Sequence, residues 1–299
     1  MATNVFGNPV TDDTVRLIFP NITEITARHR AEVALQYMNA EEKATNVSRF
    51  VHNLKEAYGT GTSTLGMIYN ATGGNLSFVL NHTWEGAVWR SPYPQVIQNG
   101  QWAGFLHVRG RLMGPSKEAI VYRGVNNDGA GRDWMLAWNT SRMNYQNRVY
   151  AEIHTAGGFG SANWNAIDSK MDSQTNNYST TALGGFASAS IGAGSSPEFV
   201  GILSLEGLGS NFMAMASDVS VVSQSLDSKR SSIISGGHIA DCEAALHHAL
   251  RHNSRSRISQ LQKGYTRIME DSSNGDEWRL DKSGVLAVKS AFESSKNRR

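Results

Sequence analysis

The chain has 299 residues, of which 40% are hydrophobic, and its 28 lysines and arginines nearly balance its 26 aspartates and glutamates. The net charge of +2 gives no electrostatic footprint of a nucleic-acid-binding protein, and no window approaches the ~18 apolar residues of a membrane span. Cys242 is the only cysteine, which excludes an intramolecular disulfide and a cysteine-based zinc site. The first residues lack the basic and apolar regions of a secretory signal, so we expect a cytoplasmic protein.

Residues 1–60 predict a helical segment that packs on the rest of the protein. Residues 1–20 are expected to be mostly loop, and a first helix should begin near Thr23 and end near Met38. A second helix should be capped by Asn46 and closed by Gly59, because apolar residues recur between them at helical spacing. Such apolar stripes are typical of core packing or of membrane-active amphipathic helices. The mixed charges on the polar faces favour core packing.

From residue 63 the pattern changes to short strands separated by glycine-rich and asparagine-rich turns. Turns are predicted at 71–74, at Asn99-Gly100 as a hairpin signal, and at 126–129. Residues 155–180 are expected to form an irregular connection. The predicted strands span 63–70, 76–82, 84–89, 101–108, 119–125, 133–139, 148–153, 181–191 and 198–205. This series predicts a mainly β protein: a sandwich of about nine to ten antiparallel strands over residues 61–207.

Residues 208–299 are expected to form a separate, partly helical and weakly basic extension, with helices over 241–251, 258–269 and 285–292. His248 and His252 share one helix face there, beside His247, but no third metal ligand is apparent. We therefore predict a solvated helix face and no metal. The extension supports a second interpretation of the whole protein: an interaction scaffold whose helical tail recruits a protein partner.

No catalytic motif is present, so neither an enzymatic activity nor a cofactor is expected. The glycine-rich stretch 157–160 does not match a dinucleotide-binding fingerprint, because no βαβ unit surrounds it in the sequence pattern. No Walker-type or HExxH motif occurs. The connection from Trp138 to Arg148 is more suggestive, because it carries arginines and is flanked by aromatic residues. Such rings can lie at a membrane interface or around a choline-like cation. Core packing is the alternative for each ring.

Several separated motifs between residues 1 and 207 resemble the plant 23-kDa jasmonate-induced proteins. They are Gly61-Thr62-Ser63-Thr64-Leu65, Ile68-Tyr69-Asn70-Ala71-Thr72-Gly73, Ser91-Pro92-Tyr93-Pro94, Asn99-Gly100-Gln101-Trp102, Phe105-Leu106-His107-Val108, Val121-Tyr122-Arg123-Gly124, Leu136-Ala137-Trp138 and Ser196-Pro197-Glu198-Phe199. That family is grouped with the fungal lipid-binding protein Nakanori and, more distantly, with the actinoporins.

The resemblance implies an actinoporin-like or Nakanori-like sandwich, no catalysis, and a lipid-headgroup pocket near the loop after Trp138. Trp138, Tyr145 and Tyr150 fall near the positions where actinoporin-like proteins place headgroup-contacting aromatics. Arg142 and Arg148 of the same connection complete the candidate site. We therefore expect a non-enzymatic stress or defence protein that binds sphingolipid or sterol membranes peripherally. Exposed sheet edges are compatible with a homo-oligomer.

Overall fold

Two β-sheets lie face to face in the computed structural model, which describes residues 4–141 and 146–208. Sheet A has seven strands: β1 (Val5–Phe6), β2 (Ser63–Ala71), β4 (Ala87–Val88), β6 (Trp102–Val108), β10 (Asn177–Ala182), β11 (Gly185–Ile191) and β12 (Glu198–Leu205). Sheet B has five: β3 (Leu76–Glu85), β5 (Val96–Ile97), β7 (Ser116–Val125), β8 (Gly131–Thr140) and β9 (Arg148–Thr155). The predicted β-sandwich is confirmed.

The strand order is β1-β6-β2-β12-β11-β10 in sheet A, with β4 also paired to β6, and β5-β3-β7-β8-β9 in sheet B. Neighbouring strands are antiparallel except β2 and β12, which run parallel at the centre of sheet A. Two details differ from the expected sandwich of about nine to ten antiparallel strands, namely this parallel pair and the number of strands. The described residues contain twelve strands, because short edge strands such as β1 and β5 are too brief to leave a periodic signal.

The main core lies between the two sheets, where alternate residues of each strand face inward. On β8, the side chains of Trp134, Leu136 and Trp138 belong to this core, whereas Met135 and Ala137 face the opposite side. Every second residue of a strand is therefore committed to one face. Two candidate side chains can therefore share a pocket only if they lie on the same face of the sheet.

Helices cover the outer face of each sheet. α1 (Asp12–Ile18), α2 (Ala27–Gln36) and α3 (Lys43–Tyr58) lie on sheet A, where their apolar residues pack against outward-facing residues of β2 and β6. α4 (Trp164–Asp172) packs Ile167 and Met171 against the outer face of sheet B. Short 3-10 turns occupy Ala40–Glu42 and Gly158–Ser161.

The helical predictions need three corrections. α1 lies within the predicted loop of residues 1–20, and its capping box is made by Thr11 and Thr14. α2 is capped by Thr26, the last residue of the stretch 23–26 that supplied the predicted cap. α3 begins three residues before Asn46, although it ends at Gly59 as predicted. α4 occupies part of the predicted irregular connection.

Two predicted hairpin turns are corners between the sheets. The 71–74 turn joins β2 of sheet A to β3 of sheet B, and Asn99-Gly100 joins β5 of sheet B to β6 of sheet A. The Asn99 side chain ties these corners together, because its Oδ1 accepts from the Gly73 amide at 2.9 Å. Conversely, the predicted strand 181–191 is a true hairpin of β10 and β11. It turns at Leu183 and Gly184, both with positive φ.

Several predictions fall outside the described residues. They concern the three tail helices, Cys242, the histidines 247, 248 and 252, and the partner-recruiting role of residues 208–299.

Candidate functional site

Five connections meet at one end of the sandwich, which we call the loop end. They are residues 59–62, residue 86, and residues 109–115, 141–147 and 192–197, of which 142–145 lie outside the described part of the chain. The opposite end carries the turns at 72–75, 98–101, 126–130 and 183–184. The β8–β9 connection of the predicted binding site therefore leaves the sandwich at the loop end.

The β6–β7 loop (109–115) exposes two large apolar side chains at the loop end. Leu112 is 75% exposed and Met113 is 59% exposed. The loop backbone is nevertheless held, since a guanidinium nitrogen of Arg109 donates to the Leu112 carbonyl oxygen and the Gly114 amide donates to the Arg111 carbonyl at 3.0 Å. An ordered loop thus presents apolar surface to solvent.

A row of alternating cations and rings lies beside this loop. The Lys55 ammonium is 5.2 Å from the Tyr58 ring centroid, and the Tyr58 and Trp89 rings meet edge to face at 5.6 Å. The Arg90 guanidinium lies 4.5 Å from the Trp89 ring centroid. Arg90 has a φ of 55°, a left-handed conformation that is uncommon for a residue other than glycine. Strained backbone of this kind is enriched at functional sites.

Lys55 and Arg109 converge on Gly61. The Lys55 ammonium donates to the carbonyl oxygens of Gly59 at 2.7 Å and Gly61 at 3.0 Å, while the Arg109 guanidinium lies against the α-carbon side of Gly61. Burial and the neighbouring Arg109 cation lower the pKa of Lys55 below its ordinary value. The loop end therefore holds two cations close enough to repel each other.

A buried polar network lies between the sheets directly beneath the loop end. His107 Nδ1 is 2.7 Å from Ser116 Oγ, and His107 Nε2 is in direct contact with Glu118 Oε2. Thr64 Oγ1 lies 2.7 Å from Ser116 Oγ and 2.6 Å from Thr140 Oγ1. All five residues are buried, so the network joins the roots of the loops to the core.

The serine, histidine and glutamate of this network have the composition of an acyl-transfer triad. Ser116 has no exposed surface, and its hydroxyl also lies within hydrogen-bonding distance of Thr64 and of the His107 carbonyl oxygen. Nucleophilic attack requires a substrate atom to approach the hydroxyl oxygen. In this geometry the network is structural. Sequence reasoning missed it, because His107 and Glu118 stand at inward positions of strands whose neighbours are apolar.

The predicted headgroup residues do not assemble into one pocket. Trp138 is 0% exposed, and its ring packs against Phe105 and Phe199 between the sheets. Tyr150 faces the other side of sheet B, where its hydroxyl donates to Glu152 Oε1 at 2.6 Å. Because Trp138 pairs with Val149, the rings of Trp138 and Tyr150 lie on opposite faces. A shared pocket for these two rings is therefore wrong, and Trp138 is a core residue.

Of the other three predicted residues, Arg148 begins β9, and Arg142 and Tyr145 belong to the β8–β9 connection. Arg148 donates through Nη1 to the carbonyl oxygens of Asp172 and Gln174, the latter at 2.8 Å, so this guanidinium anchors the end of α4. Arg142 and Tyr145 lie outside the described residues. The connection itself is held by Asn147, whose amide nitrogen donates to the Gly192 carbonyl at 2.7 Å and the Gly194 carbonyl at 2.9 Å.

The Nakanori-like protein family model matches residues 6–206, which include the helical segment and the sandwich together. The chain belongs to the Nakanori-like family. The Nakanori-like region is 36% identical over 212 residues to the 23 kDa jasmonate-induced protein of Hordeum vulgare, covering 68% of this chain and 98% of that protein. It is 33% identical over 134 residues to a jasmonate-induced protein homolog of Atriplex canescens, covering 44% and 68% respectively. The resemblance predicted from the sequence motifs is confirmed.

The crystal structure of the lipid-binding protein Nakanori has the same fold as the Nakanori-like region. The TM-score is 0.60 with 23% sequence identity, and the match covers 67% of this chain and 98% of that chain. At this identity the likeness establishes the fold.

Residues 4–141 and 146–208 contain neither a membrane-spanning helix nor a metal-binding cluster. No helix in this part of the Nakanori-like chain combines the length and apolar character needed to cross a bilayer. These residues also contain no cluster of three or more His, Cys, Asp or Glu side chains suited to a metal ion.

Proposed function

We propose that this protein is a peripheral, non-enzymatic lipid-binding protein that places the loop end of its sandwich against a membrane surface. The exposure of Leu112 and Met113 on an ordered loop carries the proposal. Transfer of such side chains from water into the interfacial region is favourable by about 25 cal/mol for each Å² of apolar surface buried. The neighbouring arginines and the Trp89 ring are the residue types found at membrane interfaces.

The relatives support the biological setting of this proposal. One is named a jasmonate-induced protein, and the structural neighbour is titled a lipid-binding protein. We therefore infer a stress or defence role for a protein that stays cytoplasmic until it meets a membrane, with sphingolipid- and sterol-containing bilayers as the first targets to test. Arg142 and Tyr145 of the β8–β9 connection remain proposed headgroup contacts, because that connection emerges at the same end.

The test is co-sedimentation of the full chain with vesicles that differ in headgroup, sphingolipid and sterol content. The double variant L112S/M113S should bind at least about 10-fold more weakly, corresponding to about 1.4 kcal/mol of lost apolar burial. The matched control is V125S/L183S at the opposite end, where Val125 is 40% exposed and Leu183 is 46% exposed. That control should bind like the unaltered chain.

Equal binding by L112S/M113S and the unaltered chain would remove the loop end from the membrane contact. Absence of retention on every vesicle composition would overturn the proposed function itself. The Tyr145→Ala variant then tests the β8–β9 connection separately, with reduced retention expected from vesicles that bind the unaltered chain.

A further inference from the structure

We infer that Lys55 and Arg109 form a binding site for a phosphate group, and that the phosphate of a membrane phospholipid is its ligand. This inference rests on the proposed function and names the polar contact that would accompany insertion of the β6–β7 loop. It concerns the pair of cations that converge on Gly61.

Lys55 and Arg109 belong to the basic residues that have no carboxylate partner in the described part of the chain, as do Lys43, Arg28 and Arg132. Lys55 and Arg109 are the two that converge on Gly61. Elsewhere in the described chain, many basic side chains contact a carboxylate, as in Arg16–Asp13, Arg30–Asp12, Arg111–Glu85, Lys117–Asp168, Arg123–Asp133 and Lys170–Glu152. Within the part of the chain that the structure describes, neither Lys55 nor Arg109 has a carboxylate within 4.0 Å. Two adjacent cations without a carboxylate repel, and an anion bound between them relieves that repulsion.

Both side chains retain donors for such an anion. Lys55 uses two of its three N–H groups on the carbonyls of Gly59 and Gly61, which leaves one. Arg109 uses Nη1 on the Leu112 carbonyl, which leaves Nε and Nη2. Charge-assisted bonds from an ammonium and a guanidinium are the usual recognition of phosphate oxygens.

Gly61 makes the convergence of the two cations possible. Its φ is 137°, and a β-carbon at this position would lie 2.8 Å from Arg109 Nε. Any larger residue would therefore displace the guanidinium from its place beside Lys55. The backbone of the α3–β2 connection thus forms one wall of the phosphate site.

The position of the site matches the layering of a phospholipid. Arg109 is the first residue of the loop whose tip bears Leu112, and its side chain holds the Leu112 carbonyl. If the tip enters the apolar region, the cations at the base of the loop lie nearer to water, as headgroup phosphates do relative to acyl chains. A phospholipid surface can therefore satisfy the apolar tip and the two cations together.

The experiment uses the full chain and vesicles of phosphatidylcholine with and without phosphatidic acid. The double variant K55Q/R109Q should bind the phosphatidic acid vesicles about 30-fold more weakly, given about a 5-fold effect of each basic residue near an anionic surface. The matched control R28Q/R132Q removes the same charge from the opposite end, where Arg28 and Arg132 also donate to backbone carbonyls. Its binding should fall less than about 3-fold.

Titration with inorganic phosphate separates the two sources of phosphate. It is followed by the NMR signals of the Gly61 amide in every variant and of the Arg109 side chain in the unaltered chain. Phosphate-dependent shifts that vanish in K55Q/R109Q, with unchanged vesicle binding of this variant relative to the control, would overturn the lipid as ligand and leave a free phosphate. If K55Q/R109Q and the control R28Q/R132Q bind vesicles equally and respond equally to phosphate, the proposed site is overturned. If no vesicle retains the unaltered chain but phosphate still shifts Arg109, the proposed function fails and the phosphate site stands.

Discussion

The two ends of the sandwich are built on different principles. At the opposite end, the buried amide side chains of Asn70, Asn99 and Asn126 donate to backbone carbonyls of neighbouring segments: Ile97 of β5 at 2.7 Å, Arg30 of α2 at 3.0 Å and Leu183 of the β10–β11 turn at 2.7 Å. Neutral amides satisfy buried backbone groups without bringing charge into the core. The loop end instead combines a buried histidine–glutamate contact, the two cations Lys55 and Arg109 that converge on Gly61, and the exposed apolar side chains of the β6–β7 loop.

Each of these features is unfavourable for an isolated domain. Burial of the histidine and the carboxyl group has a desolvation penalty that their mutual contact only partly offsets, and exposed apolar loops promote association. Their concentration at one end indicates that this end meets requirements other than stability. The comparison supports the proposal that the loop end is the contact surface, whereas the asparagine side chains of the opposite end stabilise the fold.

The largest effect is expected from the buried carboxylate beneath the loop end. Glu118→Ala leaves His107 without its carboxylate partner and removes the acceptor of the Asn81 amide, 2.8 Å away. Loss of one member of a buried pair costs about 3–5 kcal/mol in the free energy of unfolding. Urea denaturation measures this loss in the free energy of unfolding. A Glu118→Ala variant that no longer unfolds cooperatively would also agree with the expected large loss. A loss below about 1 kcal/mol would show that the pair is unimportant to stability.

A smaller loss is expected at the opposite end, from the neutral amide. Asn99→Ala leaves the Gly73 amide and the carbonyls of Val10 and Arg30 without this partner. Such buried unsatisfied groups cost about 1–3 kcal/mol. The exposed Asn177→Ala is the control and should remain within about 0.5 kcal/mol of the unaltered chain by the same denaturation assay. An Asn99→Ala variant as stable as this control would contradict the proposed role of the amide.

The apolar tip should make almost no difference to folding. Leu112 and Met113 are mostly exposed, so L112S/M113S should change the free energy of unfolding by no more than about 0.5 kcal/mol. Thermal denaturation followed by circular dichroism measures this. A destabilised variant would show that the tip packs within the fold, and the contrast between the two ends would then be weaker than described.

The most local effect concerns the protonation of Lys55. Because burial and the Arg109 cation lower its pKa, Arg109→Gln should raise that pKa towards the ordinary value, and added phosphate should raise it in the unaltered chain. With the folded-state pKa below the unfolded value, the unfolded chain binds more protons. This lysine therefore makes the free energy of unfolding rise as pH increases through the folded pKa. NMR titration of the lysine side chain measures the shift, and an unchanged pKa in Arg109→Gln would contradict the proximity of the two cations.

Much of the sandwich could be predicted because its signals are local. The runs that form β7 and β8 flank the 126–129 turn and do pair as a hairpin, and Gly59 ends α3 with a φ of 85°. The corners could not be predicted in the same way. Asn99-Gly100 has the local chemistry of a hairpin turn, but whether its flanking strands pair depends on contacts with distant strands.

The candidate site depended even more on long-range pairing. The sequence separation of Trp138 and Tyr150 does not show whether their side chains lie on the same face of sheet B. That depends on the register of β8 and β9, which places the two side chains on opposite faces. Likewise, Lys55 and Arg109 are far apart in sequence and meet only because α3 and β6 both end beside Gly61. The sequence does not distinguish Leu112 from the apolar residues of the core. Its exposure becomes visible only in the folded structure.

The parallel pairing of β2 with β12 has a consequence for how the chain folds. Ile68 of β2 pairs with Gly201 of β12 at the centre of sheet A. Sheet A therefore cannot be completed until β12, the last strand in the sequence, has formed. Such distant partners slow folding, because a long loop must close before the contact is made. During synthesis, β2 would therefore carry an edge of unpaired backbone N–H and C=O groups until residue 205 has left the ribosome. A nascent chain of this protein is thus expected to be a substrate for chaperones that shield β-strand edges.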